Sequence, residues 1–517
     1  MSDVRHAVSG KWGWLLAVTV IFIVSYFPLF MHLDKLPLRM WDEPRQAIGA
    51  YEMLHNGNWL VNHYQGAPDM WSTKPPLLLW VQALFMALLG TGELAARLPS
   101  AIAGLGTCLL LLRFTHRAMG SPWPGVVAAI TLITAQGYVN RHVTRSGDYD
   151  SLLVLFMFWA AYQAFEYARS GERRHMLLLF LALTLGMLTK SVQALMMTPA
   201  IGLWWLFTGR LKGALSDRWL WAGLLGFLLV VGGFYGAREA VNPGYLQAVW
   251  DNEWGGRYGA TLEGHLHDGH YYFQILSTHQ FQHGYMLAIA GALVGLGSRD
   301  PQLKRLTGFA VLFAVQYLVV ISNAGTKTEW YIAPAYPFLC LLAMVVFWLF
   351  VRWCAASAWL NDQMHTYVMP VVLAVVLFFK PYTDVIAQTY FPKEWPWDVD
   401  YYALPHYMQE CAKGKRETAA NVLCWDDYNG HIMLYVYMLN DRGHAIESIS
   451  KHDLQRGMRP VAAEWHVKQF IEEHYVTLTL EESGPVKVYA IAGTKPGAGH
   501  QVALEAGHNK PPSTGTR

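Results

Sequence analysis

Charge is scarce in this sequence. Only 15% of its 517 residues are Asp, Glu, Lys or Arg, while 53% are hydrophobic. So low a charge fraction, with long uncharged apolar runs, excludes an ordinary soluble protein and implies a polytopic membrane protein. An excess of one sign is also lacking. The formal net charge is +2, so no polyanion partner is implied, and no stretch resembles a nucleic-acid module. Cysteine is limited to five residues. Cys108, Cys340 and Cys354 fall in or beside apolar runs and read as packing residues. Cys411 and Cys424 lie in the polar C-terminal part, where an oxidising compartment would allow a disulfide that spacing alone does not establish. Internal repeats are absent. A cleavage site is absent too: the first apolar run follows Arg5, His6 and Lys11, and no small-residue pattern closes it. It reads as a retained span, not a removed signal peptide.

The apolar runs that are present give about eleven spans: 14–31, 95–112, 125–138, 151–168, 176–188, 192–207, 219–235, 285–296, 306–321, 331–351 and 367–379. Basic residues cluster in alternate connections. Arg113, His116 and Arg117 form one cluster, and Arg169, Arg173 and Arg174 the next. Arg210, Lys212 and Arg218 follow, then Arg299, Lys304 and Arg305, then Arg352. Placing these in the cytoplasm puts the N-terminus inside and the C-terminus outside. Residues 77–89 are apolar but short. If they crossed, every later cluster would change sides, so a juxtamembrane or re-entrant helix is expected there.

From Pro381 the composition changes, with Pro392, Pro396 and Pro405 punctuating a polar stretch. Strands are expected at 422–425 and 486–491 and a helix at 465–474. Residues 1–380 are thus a transmembrane domain with outer loops at 32–94 and 237–284. Residues 381–517 form a small α/β domain whose tail, from about Gly493, has a disordered composition.

The outer loops carry the chemistry. Met40-Trp41-Asp42-Glu43-Pro44-Arg45 follows the first span. An acidic pair there is costly unless water or a partner receives it. Asp42 and Pro44 suit the start of an amphipathic helix on the membrane, with Arg45, Gln46, Glu52 and His55 on its polar face, closed by Asn56-Gly57. Arg145-Ser146-Gly147-Asp148-Tyr149-Asp150 precedes another span; either carboxylate would also cap that helix. Lys190 breaks two apolar runs, and Lys327-Thr328-Glu329-Trp330-Tyr331 opens a span. Glu253 and Arg257 stand four apart, as on one helical face, and His265, His267 and His270 follow.

Asp42-x-x-Arg45, then Met53-Leu54, Trp59-Leu60-Val61, Lys74-Pro75-Pro76-Leu77 and Trp80 resembles the first periplasmic loop of the aminoarabinose-transferase and protein-mannosyltransferase superfamily. These are GT-C fold membrane glycosyltransferases that use polyprenyl-phosphate sugars. The resemblance implies an all-α polytopic GT-C fold with the small α/β domain on the periplasmic side. It also covers Asp148 and Asp150 (a second acidic motif), Lys190-Ser191 (Thr-Lys-Gly in the family), and Lys327 with Pro334 and Pro337. Aminoarabinose transferases have a similar run to Glu253, Arg257, Tyr258, His265, Tyr271 and Tyr272. Thr73, where they carry Glu, and Gln46, often Tyr, depart from the pattern. The resemblance weakens after Pro337.

Such a transfer needs a base for the acceptor proton, cations for the leaving phosphate and a groove for the lipid. The resemblance implies Asp42 as base, with Glu43, Asp148 and Asp150 as the other catalytic acids. It implies Lys74, Arg45, Lys190, Arg257, Lys327 and Tyr331 at the donor phosphate, and Glu253, Tyr258, His265 and Tyr271 in a substrate loop. No cofactor is required, since cations can replace a metal. His265 is where a divalent ion would bind, the alternative being hydrogen-bonding histidines. The implied enzyme is a monomeric, multi-pass protein of the bacterial inner membrane. It moves a sugar from polyprenyl phosphate to an envelope acceptor such as lipid A. A protein O-mannosyltransferase-like enzyme and a solute or lipid transporter are the alternatives.

Overall fold

The computed structural model describes residues 11–139, 142–255, 266–364, 368–426 and 428–496. The expected disorder of the last residues falls mostly outside these, from 497 onward. The backbone divides into two units. The first holds most of the chain up to Phe391. The second gathers the chain from Pro392 with two earlier pieces, Asp34–Ile48 and Gly90–Glu93.

Among the described residues of the first unit, eight helices are long and apolar enough to cross a membrane. They are Lys11–Phe30, Glu93–Met119, Asp150–Ser170, Arg173–Leu195, Arg218–Val241, Pro301–Ser322, Glu329–Ala356 and Val368–Tyr390. The chain is therefore a multi-pass membrane protein. Three of the eleven expected spans are shorter: Trp123–Ile133, Thr198–Phe207 and Gln282–Leu296, of 11, 10 and 15 residues. At 1.5 Å per residue these reach roughly 15–23 Å, against about 30 Å of hydrocarbon. The first ends in turns from Thr134, and the second starts at Thr198, after the 3₁₀ segment Ser191–Leu195. Leu77–Leu89 is a 13-residue helix, about 20 Å long, that buries Leu78, Leu79, Gln82, Ala83 and Met86.

One helical pair carries ion pairs at both of its ends. Helix Asp150–Ser170 turns at Gly171, whose φ is 70°, into the antiparallel helix Arg173–Lys190. At the turn, Glu166 accepts from Arg117 at 3.2 Å and Arg169 at 2.6 Å. Asp150 and Lys190 lie at the other end, roughly 30 Å away by helical rise. Between them the helices pack through aromatic rings: Phe114 and Phe165 have centroids 5.0 Å apart, Phe165 and Phe309 5.1 Å, and Phe158 and Phe338 5.4 Å. Gly291 lets helix Gln282–Leu296 press on Tyr336–Ala356; a Cβ there would sit 1.8 Å from the Leu342 carbonyl oxygen.

The second unit carries a five-stranded sheet. Its strand order is Glu447–Ser448, Val422–Leu423, Pro460–Ala462, Val486–Thr494, Tyr475–Ser483. The first three are parallel and the last two pairings antiparallel. Helix Trp465–His474 puts Val467 and Ile471 into a core with Val422, Ala462, Tyr489 and Ile491. The expected helix at 465–474 and strands at 422 and 486 are present. The disulfide is not: Cys411 and Cys424 are free and buried. Burial pushes their thiols up to about 11 and about 12, and the Cys424 thiol donates to the Ile449 carbonyl at 3.3 Å.

Candidate functional site

In the first unit, sequence motifs far apart in the chain meet at one end of the helices. Asp150 begins its helix and Lys190 ends the next, so the antiparallel pair delivers them to each other. The Lys190 ammonium lies 2.6 Å from Asp150 Oδ2, with the side chains 4% and 1% exposed. Lys190 also lies 5.5 Å from the centre of the Tyr331 ring. Asp148 is buried two residues earlier. His142 Nδ1 stands 3.0 Å from its Oδ2, and the Tyr149 N–H donates to its Oδ1 at 2.7 Å. Burial would raise the Asp148 pKa, but the His142 hydrogen bond and charge, and that of Lys190, hold it below the ordinary carboxylate value. Its turn is braced from below. Ser100 donates to the Asp148 carbonyl at 3.0 Å, and Gln82 to that of Gly147 at 3.0 Å.

Lys74 comes from the Lys-Pro-Pro stretch. Asn62 donates to its carbonyl at 3.2 Å, and Asp69 accepts from Trp71 and Ser72 N–H just before it. Its ammonium meets Glu253 at 3.2 Å, with the side chains 14% and 2% exposed, and lies 5.5 Å from the centre of the Tyr149 ring. Lys327 instead donates to the carbonyls of Ala324 and His267, at 2.8 and 3.0 Å. Tyr271 stacks on His267 at 4.0 Å. A cavity of about 390 Å³ lies beside Asp150, Glu253 and Tyr331, walled by Val192, Met196 and Val320.

Ser191 accounts for the departure from the family's glycine. Its φ is 54° and ψ −145°, a conformation open mainly to glycine. Its hydroxyl bonds the Tyr235 hydroxyl at 3.0 Å, which offsets part of that cost.

Asp42, Glu43 and Arg45 open the helix Asp42–Asn56 and belong to the second unit as far as Ile48. Glu43 is buried and accepts the Arg39 N–H at 2.7 Å. The helix closes at Asn56 before Gly57, whose φ is 70°. Its expected polar face is not uniformly solvated, for Gln46 is buried. Arg257, Tyr258 and His265 lie outside the described residues, so the structure is silent on their roles and on a metal at His265. Sequence reasoning missed His142, which stacks on Trp330 at 3.8 Å, and Tyr317 of the cavity wall. The signal for His142 is its place six residues before Asp148. Tyr317 gives none beyond a polar tip inside an apolar run.

Comparison with known proteins bears on the fold and on part of the chain. A family model described as dolichyl-phosphate-mannose-protein mannosyltransferase matches residues 73–234. That segment holds Lys74, Asp148, Asp150 and Lys190, with Asp42 before it and Glu253 after. The undecaprenyl phosphate-alpha-4-amino-4-deoxy-L-arabinose arabinosyl transferase of Edwardsiella ictaluri is 31% identical over 207 residues, 38% of this chain and 35% of that protein. Its namesake from Shewanella sediminis is 27% identical over 341 residues, 61% of this chain and 58% of that protein. The chain thus spans less than two thirds of either relative. The crystal structure of ArnT from Cupriavidus metallidurans bound to undecaprenyl phosphate superposes with a TM-score of 0.68 at 15% identity, covering 93% of this chain and 98% of that one. The matched segment is thus similar to the mannosyltransferase family, and the fold is that of the ArnT crystal structure.

Proposed function

We propose that the chain is a glycosyltransferase of the bacterial inner membrane. It moves a sugar from a polyprenyl phosphate, in bacteria undecaprenyl phosphate, to a lipid or glycan acceptor of the envelope such as lipid A. The observation that carries this reading is the apolar cavity of about 390 Å³ with Asp150, Glu253 and Tyr331 in its lining, because both carboxylates hold a lysine. A lipid phosphate is a long apolar chain with an anionic head. Such a ligand suits apolar walls whose two lining carboxylates each hold a lysine beside the cavity, within reach of an anionic head. The names of the relatives support the same donor class.

In the proposed step the acceptor's hydroxyl or amine attacks the anomeric carbon, with inversion. The bond from that carbon to the phosphate oxygen breaks and its electron pair leaves with polyprenyl phosphate. The acceptor's proton passes to the Asp42 carboxylate. Lys74 and Lys190 stabilise the charge that grows on the leaving phosphate, with Lys327 and Arg257 in supporting roles. These cations supply the charge a metal would, so the step is proposed to need none. The distribution of basic residues supports a periplasmic active face. Thr73, buried where aminoarabinose transferases carry Glu, leaves the sugar open within this class.

The test is transfer by purified full-length protein. Radiolabelled aminoarabinose, hexose or pentose on undecaprenyl phosphate is offered with lipid A or lipopolysaccharide as acceptor. Label should move from one donor to an acceptor without added metal and in EDTA. No transfer from any donor, with solute flux in proteoliposomes instead, would establish the transporter reading.

A further inference from the structure

The chain just before Asp42 is held by side chains of the second unit. Residues 37–41 adopt neither helix nor strand, so their backbone groups have no ladder to join. Four successive positions are nevertheless tied. The Leu38 N–H donates to the Tyr435 hydroxyl at 3.0 Å, the Arg39 N–H to Glu43 at 2.7 Å, and the Met40 N–H to the Tyr402 hydroxyl at 3.2 Å. The Trp41 carbonyl accepts from the Tyr428 hydroxyl at 3.1 Å. Further back, the Asp34 carbonyl accepts from Lys413 at 2.7 Å and Gln409 at 3.2 Å.

One side chain of the segment is anchored as firmly. The Arg39 guanidinium forks onto Glu394 at 2.5 and 2.8 Å and lies 4.2 Å from the centre of the Tyr402 ring. His406 holds the same carboxylate at 2.7 Å. Arg39 and Glu394 are both almost fully buried, and a bidentate pair fixes orientation as well as distance.

We propose that Tyr402, Tyr435 and Glu394 are positioning residues for the Asp42 carboxylate, acting through the backbone of residues 38–41. This rests on the reading of Asp42 as proton acceptor. A reacting group must be held to roughly 0.5 Å, and displacement by about 1 Å costs up to a hundredfold in rate. A loop without secondary structure meets that demand only if other groups hold it, and here the C-terminal chain supplies them. The C-terminal unit is thereby part of the catalytic apparatus although none of its residues past Pro392 is assigned to the substrate.

The test uses full-length Tyr402→Phe, Tyr435→Phe, Glu394→Gln and Glu394→Asp, with the donor that gives turnover in the transfer assay. Expected is a fall in kcat of about tenfold or more with donor KM within twofold of wild type, partly recovered in Glu394→Asp relative to Glu394→Gln. Hydrogen exchange of the peptide covering residues 38–41 should quicken in the two Phe variants while protection elsewhere is unchanged. In an Asp42→Asn background the same substitutions should cost nothing further. Unchanged kcat despite faster exchange overturns the inference, as does a loss of protection spread over the whole unit. If Asp42→Asn retains normal transfer, the base assignment fails and this inference with it. If Asp42→Asn abolishes transfer and the clamp variants do not slow it, only the inference fails.

Discussion

Lys74 and Lys190 carry one charge each into different surroundings, and their substitutions should separate accordingly. Lys190 and Asp150 are enclosed. Removing one partner of such a pair leaves a buried charge uncompensated, at a cost of about 3–5 kcal/mol. Lys190→Ala should therefore lower the thermal midpoint of the purified protein sharply and reduce the yield of folded chain. Lys74 keeps more contact with solvent. Lys74→Ala strands the buried Glu253, so the midpoint should fall as well, but by less than in Lys190→Ala, and the donor KM should rise by about 10–100-fold, the loss of a charged hydrogen bond worth about 1.5–3 kcal/mol. Equal effects of the two on stability would refute the distinction. Asp42→Asn keeps the shape and the helix-start oxygen, and it removes the proton acceptor. Transfer should fall by roughly 10²–10⁴ with donor binding intact. Glu43→Gln should be milder and Asp150→Asn should affect binding more. Near-normal transfer by Asp42→Asn at saturating donor and acceptor would move the role to Asp148 or Asp150.

Helices are the part of this molecule most open to reading from sequence, because an apolar run records its own burial in lipid. The eight long helices and the short 77–89 helix follow from such runs. Length misleads where a helix stops inside an apolar run, as at Thr134, because packing rather than composition ends it. Asp42, Asp148, Asp150, Lys74 and Lys190 are legible as local motifs. Their partners are less so: Lys74 meets Glu253 only through tertiary packing, and the pairing of Arg39 with Glu394 crosses most of the chain, whereas His142 lies only six residues before Asp148. Helix contact gives the prediction for this level of structure. Gly291 touches the backbone of Leu342, so Gly291→Val has no room without parting two helices. It should destabilise by about 1–3 kcal/mol or more, read as a lower thermal midpoint in detergent. Gly297→Ala, where a Cβ would meet only ordinary contacts at 3.4 Å or beyond, should change the midpoint little. Similar midpoints for the two variants would refute the contact.

The stability of the folded chain should respond to acid through its second unit before its carboxylates matter. His431 is fully buried, stacked on Tyr401 with centroids 5.1 Å apart, and crossed by Trp425 at 5.3 Å. Among the described residues, neither of its ring nitrogens has a hydrogen-bond partner. Burial, with the Arg39 charge adding to it, pushes its pKa from 6.5 down to about 3. The folded ring stays neutral where the unfolded one takes a proton. The unfolded state therefore binds more protons below pH 6.5, and stability falls as pH drops from there toward about 3. The slope approaches about 1.4 kcal/mol per pH unit for one such group. Glu394 acts in the same direction at lower pH. Burial opposes its ionisation, yet the bonds from His406 and Arg39 hold its pKa below the ordinary 4.5, so its contribution is present above that value and lost beneath it. Between pH 7.5 and 6.5 the chain should hold its stability, and between 6.5 and 4.5 it should lose about 2–3 kcal/mol. Tryptophan fluorescence followed through urea unfolding in detergent would read this, since Trp425 touches the ring. His431→Phe keeps an aromatic side chain against Tyr401 and has nothing to protonate, so it should flatten the loss between pH 6.5 and 4.5 and leave the Glu394 portion below it. A wild-type protein equally stable at pH 7 and 4.5, or a His431→Phe variant with the wild-type slope, would show that this ring does not stay neutral as its burial requires.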